Sequence, residues 1–155
     1  MLLASQSPLV SPYFSCPVQI VRRIEPYALW IGNAGDGSQP ALLYETGIRC
    51  VVQLAYEERA AELPRDLIVV RVPLNDGAGN DPAALRLAIS TVAELIEQKI
   101  PTLVCCGAGM SRSPAIVAMA LSKIENHSAA ACLERLTAQH AADVSTSLWA
   151  DLMRL

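Results

Sequence analysis

One helical stripe, set between two short apolar runs, constrains this chain more than any other feature. Leu85, Ala88, Ile89, Val92, Leu95 and Ile96 recur at three- and four-residue spacing, which puts them on one face of a helix. LIVVRV precedes the stripe and PTLVC follows it, each reading as a short strand. A helix with one apolar face needs a cover, and the flanking strands supply one. The same alternation runs through the rest of the chain. VQIVRRI and ALWIG are β-rich runs separated by a turn signal at Glu25-Pro26. QPALLYETG reads as a short helix stopped by Gly47, and IRCVVQL as a buried strand. AYEERAAEL, polar and closed by Pro64, reads as either helical or irregular. LNDGAGN is a loop of turn formers, after which Asp81-Pro82 opens the long helix. Beyond PTLVC a loop leads to Pro114, where a nearly all-apolar helix, AIVAMALSKI, is expected to start. Two more helices are expected over 128–140 and 145–155. Strands alternating with helices predict an α/β sheet covered on both faces. Residues 1–17, with Pro8, Pro12 and Pro17, are expected to form an irregular arm, and residues 18–155 a single domain.

Composition excludes several classes. The chain has 155 residues, 52% of them hydrophobic, enough for one sizeable core. A net charge of −3 is not the footprint of a nucleic-acid or anionic-membrane binder. No apolar run is long enough to span a bilayer, and the N-terminal stretch lacks the basic start of a signal peptide. Five cysteines form an odd set without framework spacing, which predicts reduced thiols and a cytoplasmic location. Two histidines and no Cys-x-x-Cys pair leave little material for a metal, and no cofactor is expected.

The chemistry concentrates in VCCGAGMSRSP, residues 104–114. Cys106 ends a strand, at the edge where open α/β sheets bind ligands. The loop then feeds a helix N-terminus, whose backbone N–H groups and dipole form an anion cradle. Gly107, Ala108 and Gly109 keep side chains out of the way, and Met110 and Ser111 complete the loop. Arg112 adds a planar fork suited to a phosphate. The same positive field lowers a thiol's pKa from about 8.5 into a range of roughly 3.5–7.5. A thiolate beside a bound phosphate is placed for phosphoryl transfer.

These residues resemble the cysteine-dependent phosphatases. CGAGMSRS carries their Cys-x5-Arg signature, and Gly109 with Ser111-Arg112-Ser113 is similar to the small, atypical dual-specificity branch of the protein tyrosine phosphatase superfamily. RIEPYALWIGNAGDG, LLYETGIRCVVQL and the closing STSLWADLMRL also resemble family segments, so the likeness covers residues 18–155. It implies a mixed, mostly parallel central sheet of about five strands with helices on both faces. It implies Cys106 as nucleophile, forming a cysteinyl-phosphate, and Arg112 binding the phosphate oxygens. Ser113 would donate to the departing sulfur. The family draws a proton for the leaving group from an aspartate on an upstream loop. Asp81 has the context of a helix cap, which leaves Asp76 as the acid. Asn33 matches a position that braces the phosphate loop.

The likeness has one departure, because the family's usual histidine before the nucleophile is Cys105 here. A vicinal thiol offers a redox partner for Cys106, and the competing reading is a small residue that only fills space. Phosphorylated proteins or peptides, or small phosphate monoesters, are the expected substrates of a monomeric enzyme. The loop interior has no lysine, which favours peptides over phosphoinositides or RNA ends. The alternatives are a rhodanese-like sulfurtransferase or arsenate reductase, and a non-catalytic phospho-binding module.

Overall fold

In the computed structural model, which describes residues 21–155, the alternating segments assemble one five-stranded sheet. Its strands are β1 (Arg22–Arg23), β2 (Leu29–Asn33), β3 (Cys50–Ala55), β4 (Ile68–Leu74) and β5 (Thr102–Cys106). They lie in the order β1-β2-β5-β3-β4, with β1 antiparallel to β2 and every other pairing parallel. The mixed, mostly parallel sheet expected from the sequence is therefore the fold observed. The arm over residues 1–17, and residues 18–20 of the first β-rich run, lie outside the described residues.

β5 occupies the middle of the sheet and is buried along its whole length. Side chains alternate between faces along a strand, so Val104 and Cys106 join one core cluster while Leu103 and Cys105 join another. The larger core is roofed by α2 (Pro82–Glu97) and α3 (Arg112–Glu125), with α4 (Ala129–Gln139) and α5 (Thr146–Met153) packed beyond them. The smaller core gathers Leu43 of α1 (Pro40–Thr46) with Ile48, Val51 and Leu103 on the other face. The expected stripe of α2 is its buried face, and Gly47 ends α1 in the left-handed conformation.

One open reading is decided and one expectation changes in detail. AYEERAAEL is irregular beyond β3, because its polar backbone groups bond elsewhere. Arg71 donates to the carbonyls of Tyr56 and Glu58, and Gln53 accepts from the Ala61 N–H. Helix α3 begins at Arg112, two residues before Pro114. Proline is tolerated there because N–H groups in a helix's first turn have no partner within the helix.

Helix α3 begins where the loop after β5 ends, so its packing sets how firmly that loop is held. Ile116 is fully buried against the sheet. Ile116→Ala should lower unfolding free energy by about 2–5 kcal/mol, read from urea midpoints at unchanged slope. A loss well under that range would mean that α3 is not packed as described.

Candidate active site

The loop from Gly107 to Ser111 leaves the end of β5 and enters α3. Three of its carbonyls are tied from outside. The Ala34 N–H donates to the Gly107 carbonyl at 3.2 Å, and the Asp143 N–H to that of Met110 at 2.8 Å. The Arg22 guanidinium donates to the Gly109 carbonyl. In a planar trans peptide the N–H points opposite to the C=O. Tying these carbonyls outward therefore turns the N–H groups of Ala108, Met110 and Ser111 into the hollow of the loop. Among the described residues, none of these N–H groups has a hydrogen-bond acceptor in the protein. The hollow, about 340 Å³, is walled by Asp76, Cys106, Arg112 and Asp143 together with loop residues.

Gly109 is required by this path. Its φ is +72°, and a Cβ there would stand 2.6 Å from the Gly32 carbonyl oxygen, a clash as well as a strained backbone. Gly107 is also confined, since a Cβ would come within 3.2 Å of the Arg112 guanidinium.

Arg112 is 4% exposed. Its guanidinium meets the Glu57 carboxylate with both terminal nitrogens, Nη1 at 2.6 Å from Oε2, and Nη1 also donates to the Leu74 carbonyl at 2.9 Å. Nε has no partner. The hydrogen bond from Arg112 holds the Glu57 carboxyl down at about 2, and Glu57 in turn pushes the guanidinium pKa up. Glu57 was not foreseen as a site residue. The available signal was an acidic residue just beyond a buried strand, at the sheet edge where the loop also begins.

Cys106 is 2% exposed at the floor of the hollow. Ser113, in the first turn of α3, is fully buried, and its hydroxyl has no hydrogen-bond partner. Ser111, rather than Ser113, occupies the N-cap position, yet it makes no side-chain cap bond. Its hydroxyl instead donates to Asp76 Oδ1 at 2.6 Å and accepts from the Ser145 N–H at 2.9 Å. Asp76 thus arrives at the loop's rim from the β4–α2 connection. Asp81 lies apart from it, capping α2 by accepting from the Ala83 N–H at 2.8 Å.

Asn33 is beside the loop, but its side chain turns back. Asn33 Oδ1 accepts from the Asp36 N–H at 2.9 Å, and Asp36 Oδ2 accepts from the Asn33 N–H at 2.8 Å. The direct tether from this turn is the backbone of Ala34. Asp36 is a second residue the sequence did not single out, a buried carboxyl whose pKa burial pushes up. Cys105 faces the opposite side of the sheet from Cys106, and both thiols are free. Burial, helped by nearby negative groups, pushes the Cys105 thiol up to about 12. A thiol held protonated in this way is a poor trap for an oxidised neighbour. Its sulfur packs on Gly37, where a Cβ would stand only 2.7 Å from it, so position 37 has no room for a side chain. The described residues contain no group of three or more His, Cys, Asp or Glu arranged to hold a metal ion, and no helix among them is long and apolar enough to cross a membrane.

Comparison with known proteins gives a consistent answer. A family model described as "Polymorphic toxin system, DSP-PTPase phosphatase" (Tc-R-P) matches residues 33–125. No curated protein sequence matches significantly. Among solved structures, a mouse protein complexed with zinc tungstate superposes with a TM-score of 0.75 at 24% identity, covering 97% of this chain and 90% of its own. Human DUSP28 gives 0.71 at 21% identity, covering 82% and 90%. DUSP15 gives 0.73 at 20% identity, covering 86% and 85%.

Two predictions follow from the site's packing and charge. A carboxyl with a lower pKa in the fold than in the unfolded chain stabilises the fold while it is ionised. The Glu57–Arg112 pair therefore contributes fully above the ordinary value of 4.5 and loses its contribution as pH falls towards about 2. The melting-temperature gap between wild type and Glu57→Gln should be widest above pH 4.5 and close towards pH 2. A gap that is constant across that window would remove the ion pair from the explanation. At the Cys105 contact, Gly37→Ala should cost about 1–3 kcal/mol through overpacking against the sulfur. Adding Cys105→Ala should recover part of that loss, and urea midpoints with no recovery would contradict the tight packing against Gly37.

Proposed function

The chain belongs to the DSP-PTPase phosphatase family of the protein tyrosine phosphatase superfamily, and from that premise we propose that it hydrolyses phosphate monoesters on proteins or peptides through a cysteinyl-phosphate. One observation carries this reading: the 2.6 Å hydrogen bond from Ser111 to Asp76. It brings a carboxyl group from a separate loop to the rim of a phosphate cradle that starts at a thiol.

In the proposed reaction the inward N–H groups and Arg112 Nε hold the non-bridging phosphate oxygens. The Cys106 thiolate attacks phosphorus and forms an S–P bond as the P–O bond to the leaving group breaks. Protonated Asp76 gives its proton to the leaving oxygen. Water then attacks the cysteinyl-phosphate and loses a proton to the Asp76 carboxylate. The S–P bond breaks, returning inorganic phosphate and the thiolate. The Ser113 hydroxyl, buried without a partner, is suited to donate to the departing sulfur.

Several features bear on the competing readings and the substrate. Family membership leaves sulfur transfer and arsenate reduction without support, and a binding module has no need of both a nucleophile and an acid. The loop interior, Gly107 to Met110, carries no lysine, which favours phosphotyrosine and phosphoserine or phosphothreonine peptides over more highly charged substrates. Free buried thiols fit a reducing compartment, and we place the protein in the cytoplasm.

Cys106→Ser should abolish hydrolysis of p-nitrophenyl phosphate while still binding orthovanadate. Arg112→Lys should lose most activity, because a point charge does not replace the fork that Glu57 orients. Asp76→Asn should slow turnover of phosphoserine peptides by on the order of 10²–10⁴-fold. The p-nitrophenyl ester, whose leaving group hardly needs a proton, should suffer much less. Asp81→Asn should be mild, since asparagine caps a helix as well as aspartate does. Near-wild-type activity in Cys106→Ser would defeat the proposal, and a larger loss from Asp81→Asn than from Asp76→Asn would reassign the acid.

A further inference from the structure

We infer that Arg22, on the short edge strand β1, is a positioning residue that keeps the phosphate loop in its anion-binding form. This rests on reading residues 107–111 as a phosphate cradle.

The guanidinium of Arg22 donates from Nη2 to the Gly109 carbonyl and from Nη1 to the Ala141 carbonyl. These acceptors belong to the phosphate loop and to the segment joining α4 to α5, 87 and 119 residues away in sequence. The β1–β2 register pairs Arg22 with Ile31. Arg22 thus projects to the α3–α5 face, and its stem borders Ile24, Pro114 and Leu136. The planar fork suits two separate carbonyls, and each bond is charge-assisted.

The Gly109 carbonyl is a sensitive point on the loop. Gly109 lies directly on the Gly32 backbone in a left-handed conformation, so its φ has little other support. Holding the carbonyl outward fixes the plane of the following peptide and keeps the Met110 N–H turned into the hollow. Released, that peptide can rotate and present a carbonyl to the incoming anion. The other two tethers, from Ala34 and Asp143, are backbone N–H groups. Arg22 is therefore the one tether of the three that a side-chain substitution removes.

The second bond extends the effect. Ala141 begins the segment whose Asp143 N–H holds the Met110 carbonyl and whose Ser145 N–H holds the Ser111 hydroxyl. By gripping Ala141, Arg22 fixes the base of both contacts. Burial lowers the pKa of its guanidinium, and the neighbouring Cys106 and Asp36 act in the opposite sense.

The test compares wild type, Arg22→Met and Arg22→Lys in the full chain. Orthovanadate Kd is measured by calorimetry, and kcat and KM with p-nitrophenyl phosphate. Arg22→Met keeps the stem and deletes the donors. It should raise the vanadate Kd on the order of tenfold or more, the scale expected for losing hydrogen bonds from a charged group. KM should rise more than kcat falls, because the loss is in binding the anion. Arg22→Lys, able to hold one of the two carbonyls, should fall between. An unchanged Kd in folded Arg22→Met overturns the inference. So does a lowered melting temperature with Kd and KM intact, which is the signature of a purely structural arginine. Should Arg22→Met not fold, Arg22→Gln is read against the same threshold. Wild type that binds vanadate in an Arg22-dependent way without hydrolysing any ester would uphold this role and defeat the phosphatase reading. Wild type that hydrolyses esters while Arg22→Met is indifferent would do the reverse. Wild type that neither binds nor hydrolyses would overturn both.

Discussion

A loop that offers its N–H groups to an anion must send its carbonyls somewhere else, and most of this molecule's special geometry follows from that requirement. Each outward carbonyl needs a donor held at a fixed place. The turn after β2 supplies Ala34, the edge strand supplies Arg22, and the α4–α5 segment supplies Asp143. Seating the loop against β2 then excludes any side chain at position 109. The parallel sheet makes this arrangement available, because β2 and β5 run in the same direction and end together. Their register pairs Asn33 with Cys106, so the turn that follows β2 lies beside the loop that follows β5.

Charge at the site is balanced in the same local way. Arg112 and the N-terminus of α3 face one small hollow while Arg22 grips the loop from outside it, and positive groups gathered so closely repel one another. Glu57 answers Arg112 directly, and the backbone carbonyls of Leu74, Gly109 and Ala141 take up the other guanidinium donors. Arg112 is left with its Nε free and its plane fixed. On the proposed reading, part of the work of orienting a phosphate is thereby built into the fold.

The fold was legible in the sequence because each element announces itself locally. The stripe of α2, the Asp81 cap and the stop at Gly47 all act within a few residues of chain. The identity of the central loop was legible for the same reason, since thiol, glycines and arginine are contiguous. The roles of Glu57 and Arg22 were not. Each acts on a partner distant in sequence, 55 residues for Glu57 and Arg112 and 87 for Arg22 and Gly109. No local pattern separates them from ordinary surface charges. Pro114 misled by two residues, because its restricted φ suits any position where the helix does not need an N–H, not only the first. Cys105 looked like a chemical neighbour of Cys106 because adjacency in sequence is easily read as adjacency in space. Alternation along a strand puts successive side chains on opposite faces.

Three carboxyl-bearing residues border the loop, Glu57, Asp76 and Asp143, and the bonding partners of Glu57 and Asp76 set those two apart. Glu57 is bonded to a guanidinium from both oxygens and holds its proton only below about pH 2. A group so strongly held in its ionised form has no proton to give near neutral pH, and it cannot leave Arg112 without exposing a buried cation to an empty site. Its fitting role is orientation. Asp76 is bonded to a neutral hydroxyl and makes no ion pair among the described residues. A serine hydroxyl can donate to a carboxylate or accept from a carboxylic acid, so this contact can persist in either protonation state. The contact therefore makes no demand on which of the two forms the carboxyl group takes. Between Glu57 and Asp76, the surroundings of Asp76 are the ones that suit the acid role proposed for it.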